Sequence, residues 1–236
     1  MIQKGKLYLL PTTLGDSEIN SSVTPFAISI LHSLTEFIVE DEKTARRFLK
    51  KTDYPVSMGS LILHSLNEHT QTNEIQNYLA SAEKGKNIGL LSEAGCPVIA
   101  DPGAEIVELA HKKNICVVPL VGPSSILLGL MASGFNGQNF CFHGYLPKEK
   151  NLLVQKLKEM EKDSFRKNQT QIFIETPYRN NQMINEIISC CSSETKLCIA
   201  CDITLPSEFI QTKSISEWGK KIPDINKRPA LFLIYK

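Results

Sequence analysis

The fold is decided by residues 88–103, which read Ile88-Gly89-Leu90-Leu91-Ser92-Glu93-Ala94-Gly95-Cys96-Pro97-Val98-Ile99-Ala100-Asp101-Pro102-Gly103. The first four residues are apolar and predict a buried strand. The next twelve place two glycines, two prolines and two carboxylates in a loop directly after that strand. Ligands of open α/β sheets bind beyond the carboxyl ends of the strands, so this loop is the first candidate site.

On both sides of this stretch, apolar strand patterns alternate with helical patterns. We predict strands at 7–10, 36–39, 56–63, 88–91 and 116–120, and helices at 25–33, 43–51, 72–84 and 104–113. Thr24 is a candidate N-cap of the first helix, since Pro25 suits the first helical position. This βαβα order predicts an α/β fold with a mostly parallel sheet covered by helices on both faces.

Two more loops, residues 11–16 and 119–125, also follow predicted strands and also combine Gly and Pro with small polar residues. Their backbone groups can bind an adenine edge, a ribose or an amino-acid carboxylate, while Glu93 and Asp101 can balance a ligand's positive charge or bind ribose hydroxyls. The alternative is that all three loops are ordinary connections. Three such loops at one end of one sheet favour a binding site. None of them is a phosphate loop or a dinucleotide-binding fingerprint.

The second half of the chain has a different order of elements. We predict helices at 124–133, 148–167 and 179–191, and strands at 139–144, 171–174, 197–203 and 230–235. Pro and Gly cluster at 119–123, between a strand and a helix, which predicts a domain boundary there. The predicted domains are residues 1–119 and 120–236.

The composition of the chain argues against a DNA-binding protein and against a membrane-spanning one. The 236 residues carry 26 basic and 25 acidic side chains, for a net charge of +1. A small DNA-binding protein is usually more basic, so we expect no DNA partner, and any RNA site must be a local patch. There is no run of 18 apolar residues, so we expect no membrane span.

The seven cysteines are scattered, and no signal-peptide pattern is recognisable, so we expect reduced thiols in the cytoplasm. Cys198 and Cys201 lie in a predicted strand, where residues three apart point to opposite faces. We therefore predict that they are buried apolar residues, and we predict no metal site.

Several motifs agree with those of a known family. They are Leu7-Tyr8-Leu9-Leu10-Pro11-Thr12-Thr13-Leu14-Gly15, Glu40-Asp41-Glu42-Lys43, Leu66-Asn67-Glu68, residues 92–103, residues 117–124, residues 144–148 and residues 173–179. With these motifs the chain resembles the tetrapyrrole methylase superfamily, and within it the bacterial branch that methylates the ribose 2′-oxygen of a cytidine in small-subunit ribosomal RNA. The chain differs from that branch at Glu42, Lys43, Glu93, Cys96, residues 202–207, Arg228 and Pro229.

The resemblance implies two α/β domains with S-adenosylmethionine in the cleft between them, and a homodimer. The cofactor contacts that it implies are Pro11, Thr12, Ser92, Glu93, Ala94, Gly95, Asp101, Val121, Gly122, Ser124, Glu175, Thr176 and Ala230. We expect a valine at Gly95 or Gly122 to abolish cofactor binding by entering the adenosyl pocket.

A ribose hydroxyl is a poor nucleophile, so a general base would help its methylation. The candidates for this catalytic role are Glu40, Asp41 and Asp101, although an acidic residue at a helix N-terminus can simply complement the helix dipole. The candidates for contacts with substrate are Lys43, Asn67, Glu68 and Arg179.

Three hypotheses on function remain. The leading one is methylation of ribosomal RNA in the small subunit. A methyltransferase acting on a tetrapyrrole or another small molecule is the second. The third is a cofactor-binding protein without catalysis.

Overall fold

The structure is a computed structural model that describes residues 3–236. The chain divides into two compact units, the first ending at Ser124 and the second running from Ser125 to Lys236. The predicted domain boundary, between residues 119 and 120, falls slightly before this division, and residues 1 and 2 of the predicted first domain lie outside the described part.

The first unit is built on a five-stranded parallel sheet. Its strands are β1 (Lys6–Leu10), β2 (Glu36–Val39), β3 (Ile62–Ser65), β4 (Ile88–Leu91) and β5 (Cys116–Pro119), and its helices are α1 (Pro25–Ser33), α2 (Glu42–Lys51), α3 (Thr72–Ile75), α4 (Ala80–Glu83) and α5 (Ala104–Lys112). The strand order is β3-β2-β4-β1-β5, and every neighbouring pair is parallel. The predicted α/β class is confirmed, and the carboxyl ends of all five strands share one edge.

Alternate residues of these strands face two separate cores. Leu7, Ile38 and Leu90 pack with residues of α3, α4 and α5. Leu10 and Phe37, on the opposite face, pack with residues of α1 and α2. Side chains alternate across a strand, so one apolar run supplies both cores, and helices cover both faces as predicted.

Local signals fix the starts of the first two helices. The Thr24 hydroxyl accepts a hydrogen bond from the Ala27 N–H at 3.1 Å, which confirms Thr24 as the N-cap of α1. Asp41 caps α2 in the same way, since its carboxylate accepts from the Thr44 N–H at 2.7 Å. Such caps satisfy N–H groups that have no partner inside the helix.

Two predicted elements of the first unit were wrong in extent. The predicted strand at 56–63 is mostly a turn, because the Ser60 N–H bonds to the Ser57 carbonyl at 3.1 Å, and β3 begins only at Ile62. The predicted helix at 72–84 is interrupted between α3 and α4, where the Tyr78 hydroxyl donates to the Ser65 carbonyl at 2.6 Å.

The second unit has a mixed five-stranded sheet. Its elements are α6 (Ser125–Ser133), β6 (Phe140–Tyr145), α7 (Lys150–Lys167), β7 (Thr170–Ile174), α8 (Asn180–Cys190), β8 (Lys196–Cys201), β9 (Phe209–Ser214), α9 (Ile215–Trp218) and β10 (Ala230–Tyr235). The strand order is β6-β7-β10-β8-β9, in which only β6 and β7 are parallel. β9 and α9 were not predicted, because β9 is an edge strand with the polar residues Gln211, Thr212 and Lys213 in its middle.

The main core of the second unit lies between this sheet and helices α7, α8 and α9. Phe173 and Phe232 stack there with ring centroids 5.4 Å apart. Trp218 is also buried, and its indole N–H donates to the Leu197 carbonyl at 2.9 Å. α6 approaches the other face closely, since a Cβ at Gly129 would lie 2.4 Å from the Leu231 side chain.

Cys198 and Cys201 are fully buried in the second unit, as predicted. Burial raises the pKa of both thiols, to about 11 for Cys201, where the neighbouring Asp202 charge adds to the effect. Within residues 3–236, no group of three or more His, Cys, Asp or Glu side chains is placed to hold a metal ion. No helix in that part of the chain combines the length and apolar character needed to cross a membrane.

Candidate active site

The candidate site of the first unit is the edge formed by the carboxyl ends of its parallel strands. Residues 11–16 follow β1, Glu40 and Asp41 follow β2, and Asn67 and Glu68 come shortly after β3. Residues 92–103 follow β4, and residues 120–124 follow β5. The topology therefore brings to one edge ten of the predicted cofactor residues and all but one of the predicted catalytic and substrate residues.

Backbone hydrogen bonds join the three glycine-containing loops to one another. The Ser92 N–H donates to the Leu10 carbonyl at 3.2 Å, which prolongs the pairing of β1 and β4 into the loops. The Thr12 N–H donates to the Gly95 carbonyl at 3.0 Å. The Cys96 thiol lies 3.3 Å from the Pro123 carbonyl, so the loop after β4 also contacts the loop after β5.

Gly95 and Gly122 are required by this loop packing. Gly95 has a φ of +75°, and a Cβ there would lie 2.9 Å from the Pro123 carbonyl oxygen. A Cβ at Gly122 would lie 2.1 Å from the Pro11 Cβ. A larger residue at either position therefore collides with a neighbouring loop, while the predicted loss of cofactor binding stays a prediction.

Four carboxyl groups at this edge act on one another. Burial raises the pKa of Glu40, and the charges of Asp101 and Asp41 raise it further. Burial also raises the pKa of Glu93, with a second contribution from the Glu40 charge. For Asp101, burial raises the pKa although the Ser92 hydroxyl, 3.1 Å away, donates a hydrogen bond to its carboxylate.

The charge of Lys43 acts on Asp41, whose pKa it helps to lower, but no ion pair balances this group within residues 3–236. None of Glu40, Asp41, Glu93 and Asp101 forms an ion pair with any lysine, arginine or histidine of residues 3–236. The edge is therefore electrostatically suited to a cation.

Asp41 differs from the other three carboxylates. Its pKa is lowered by hydrogen bonds from Thr44 at the start of α2, whereas the pKa values of the other three are raised. A carboxylate with a lowered pKa is a weaker base, so the structure gives Asp41 a capping role more directly than a proton-transfer role.

The predicted substrate residues of the first unit lie on two parts of this edge. Asn67 and Glu68 line a cavity of about 430 Å³ together with Asp101. Lys43 is exposed on α2 and lies next to Glu42, Arg46, Arg47 and Lys50 along an open groove.

The remaining predicted site residues belong to the second unit. Glu175 and Thr176 follow β7, and the buried Glu175 carboxylate accepts from the Thr176 N–H at 2.7 Å. Its other oxygen accepts no hydrogen bond within residues 3–236, and the Arg179 guanidinium lies 3.5 Å from it. Ala230 begins β10, one residue before Leu231, which pairs with Ile174. These four residues therefore lie near one end of the second sheet.

Two polar contacts of the structure were not predicted from the sequence. The buried Glu36 carboxylate lies 2.9 Å from His64 Nε2, and His64 stacks on Tyr78. In the second unit, Arg228 donates to the buried Asp202 carboxylate at 2.8 Å. For the contact between Glu36 and His64, the sequence offered one indication, a glutamate at the start of an apolar strand.

Comparison with known proteins assigns the chain to a family. A sequence profile of the tetrapyrrole (corrin/porphyrin) methylases matches residues 6–218. The chain belongs to this family. The resemblance inferred from the motifs is confirmed, and with it the prediction of a methyltransferase that uses S-adenosylmethionine.

Several relatives carry the same name, ribosomal RNA small subunit methyltransferase I. The one from Thermotoga maritima is 31% identical over 223 residues, which are 93% of this chain and 94% of that protein. Its counterpart from Vibrio cholerae is 31% identical over 211 residues, or 89% of this chain and 69% of that protein. The relative from Buchnera aphidicola subsp. Schizaphis graminum is 32% identical, and the alignment covers 98% of this chain and 78% of that protein.

Solved structures agree on the fold. The methyltransferase CobJ aligns with a TM-score of 0.64 at 16% identity, over 98% of this chain and 94% of that one. The cobalt precorrin-4 methyltransferase CbiF aligns with a TM-score of 0.63 at 15% identity, over the same shares. At these identities the likeness is one of fold.

Proposed function

We propose that this enzyme methylates a ribose 2′-hydroxyl of small-subunit ribosomal RNA. The observation that carries the proposal is the group of four carboxylates, Glu40, Asp41, Glu93 and Asp101, at the edge of the first sheet, none of which forms an ion pair within residues 3–236. The names of the three relatives support RNA as the class of substrate.

The residues at this edge fit the cofactor. When bound, S-adenosylmethionine supplies a methyl group on a positively charged sulfur, and its methionyl part carries an ammonium group. Glu93 and Asp101 offer two half-buried carboxylates to these charges. Val121 is 76% exposed in the loop after β5, which leaves an apolar side chain available to an adenine ring.

We assign cofactor contacts to thirteen residues, on the resemblance to the family. In the first unit they are Pro11, Thr12, Ser92, Glu93, Ala94, Gly95, Asp101, Val121, Gly122 and Ser124. In the second they are Glu175, Thr176 and Ala230. The inclusion of Glu175 and Thr176 rests on the resemblance and on their place directly after β7.

We assign proton removal from the 2′-hydroxyl to Glu40 or Asp101. Burial raises the pKa of both carboxyl groups, which brings them closer to the pH at which a general base is most effective. We assign Asp41 a different role, which is to cap the N-terminus of α2 and to add negative charge near the site. Lys43, Asn67, Glu68 and Arg179 are assigned to RNA contacts.

We further propose that the enzyme is a cytoplasmic homodimer. The cytoplasm is where its substrate would be found, and it suits the seven free cysteines. The dimer is proposed on the resemblance alone.

The test is transfer of labelled methyl groups to purified small ribosomal subunits from cells that lack this gene. We expect a single 2′-O-methylated nucleoside by mass spectrometry of the digested RNA. Glu40→Gln or Asp101→Asn should lower kcat by at least about 100-fold, the usual contribution of a general base. The control is Glu108→Gln, which alters an exposed carboxylate paired with Lys112 on α5.

The tetrapyrrole hypothesis is tested in the same assay with a uroporphyrinogen in place of the subunits. Methylation of that compound and not of the RNA would overturn the proposal. Binding of S-adenosylmethionine without transfer to either acceptor would also overturn it, and would favour a protein without catalysis.

A further inference from the structure

The most basic segment of the first unit is helix α2. Its ten residues include five basic side chains and one acidic one, in a chain whose net charge is +1. Arg46 is paired with Glu42 at 3.3 Å, and Lys51 with Asp16 at 2.5 Å. The side chains of Lys43, Arg47 and Lys50 form no hydrogen bond or ion pair in the described part of the chain, although the Lys43 charge helps to lower the pKa of Asp41 and the Arg47 charge helps to lower that of Asp16. Three positive charges are therefore available to a ligand.

One side of α2 forms the wall of a cavity of about 350 Å³, which we call the α2 pocket. It is lined by Thr13, Leu14, Gly15, Asp16, Thr44, Arg47, Phe48, Lys51, Glu93 and Ala94. Its volume lies within the range of small-molecule sites. Arg47 belongs both to this pocket and to the groove that Lys43 and Lys50 line, so the positive surface is continuous.

The α2 pocket adjoins the carboxylates of the candidate active site through Glu93. The Glu93 side chain lines the pocket, and its pKa responds to the charges of Glu40, Asp41 and Asp101. The pocket is therefore lined both by cationic side chains of α2 and by one carboxylate of the acidic edge of the sheet. A ribose-phosphate chain presents both matching groups, since a phosphate and a 2′-hydroxyl alternate along it.

We propose that the α2 pocket binds a backbone phosphate of the RNA substrate, next to the ribose that is methylated, with Arg47 as the principal ligand. The proposal rests on the proposed function. Arginine suits this role because its planar guanidinium makes two parallel hydrogen bonds to a phosphate.

The other charged groups of the pocket are compatible with a phosphate. Lys51 neutralises Asp16, whose pKa is lowered chiefly by that hydrogen bond. Glu93 is the remaining acid, and it belongs to the carboxylate group that faces the cofactor in the proposed function. A lipid surface is a poor alternative, because the apolar residues of α2, Phe48 and Leu49, are half-buried and buried, and offer nothing to insert.

The test uses purified small ribosomal subunits as the probe, with Arg47→Ala, Arg47→Lys and the control Lys84→Ala. Lys84 is exposed just before β4, at the opposite edge of the sheet. We expect Arg47→Ala to raise KM for the subunits by about tenfold or more, since a hydrogen bond to a charged group contributes at least that much. Its kcat and its Kd for S-adenosylmethionine should stay at the wild-type values, and Arg47→Lys should recover part of the loss.

Salt dependence provides a second measurement. The slope of log Kd for the subunits against log salt concentration should fall by roughly 0.7–0.9 in Arg47→Ala, the value for one lost phosphate contact. If the wild type methylates the subunits and Arg47→Ala matches Lys84→Ala in KM and slope, this inference is wrong while the proposed function stands. If the wild type neither binds nor methylates them, the proposed function itself fails.

Discussion

Replacing Gly122 by alanine tests whether the candidate site depends on the packing of its loops. The added methyl carbon would lie 2.1 Å from the Pro11 Cβ and 2.3 Å from its Cγ. Carbon atoms in contact are about 3.5–4.0 Å apart, so the loop after β5 must move by about 1.5 Å. The Pro11 ring is buried and rigid, which leaves the backbone to absorb the movement.

Overpacking of this kind costs about 1–3 kcal/mol, and the rigidity of Pro11 places Gly122→Ala near the upper end. For a chain of this size that corresponds to a fall in Tm of about 6–12 °C. The assays are thermal unfolding and calorimetric titration with S-adenosylmethionine, whose affinity should fall because the loop has moved. The control is Gly59→Ala, where the nearest atom to the new Cβ is the Ser57 hydroxyl at 3.9 Å. Wild-type Tm and affinity in Gly122→Ala would refute the reasoning.

Three further predictions concern single charged residues. Asp41→Ala should lower the free energy of unfolding through loss of the α2 cap, measured by urea unfolding, whereas Asp41→Asn should stay close to the wild type because asparagine caps as well. Glu93→Gln should raise Tm at pH 7 but not at pH 4. Because the pKa of Glu93 is raised in the folded state, the folded protein loses stability as the pH rises through that pKa, and glutamine removes this loss. A Tm difference between variant and wild type that is equal at both pH values would contradict the raised pKa. Arg228→Ala should destabilise the second unit by about 3 kcal/mol in chemical unfolding, because it leaves the buried Asp202 carboxylate without its cation, and the double variant with Asp202→Ala should recover part of the loss.

The position of the candidate site could be predicted from the sequence because it follows from topology. In a parallel sheet every loop after a strand emerges at the same edge, so the βαβα pattern was enough to bring Glu40, Glu93 and Asp101 together. The N-cap of α1 could also be predicted, since Thr24 and Pro25 are a local signal.

Contacts that depend on register or on long-range packing could not be predicted. His64 meets Glu36 only because β3 pairs with β2 in one particular register, in which Ile38 lies opposite His64. Arg228 and Asp202 are brought together by the pairing of β8 with β10. The basic residues of α2 are visible in the sequence as possible phosphate contacts, but the α2 pocket is not, because residues 13–16 and 93–94 from other loops help to line it.

A crystal structure of the protein with S-adenosylmethionine would show whether the carboxylate-bearing edge of the first sheet holds the cofactor's positive charges. We expect the ligand to lie against residues 92–101 and 120–124, with the Glu93 or Asp101 carboxylate facing its sulfonium or ammonium group. A ligand bound away from these loops, or a lysine or arginine of the protein already paired with these carboxylates, would contradict it.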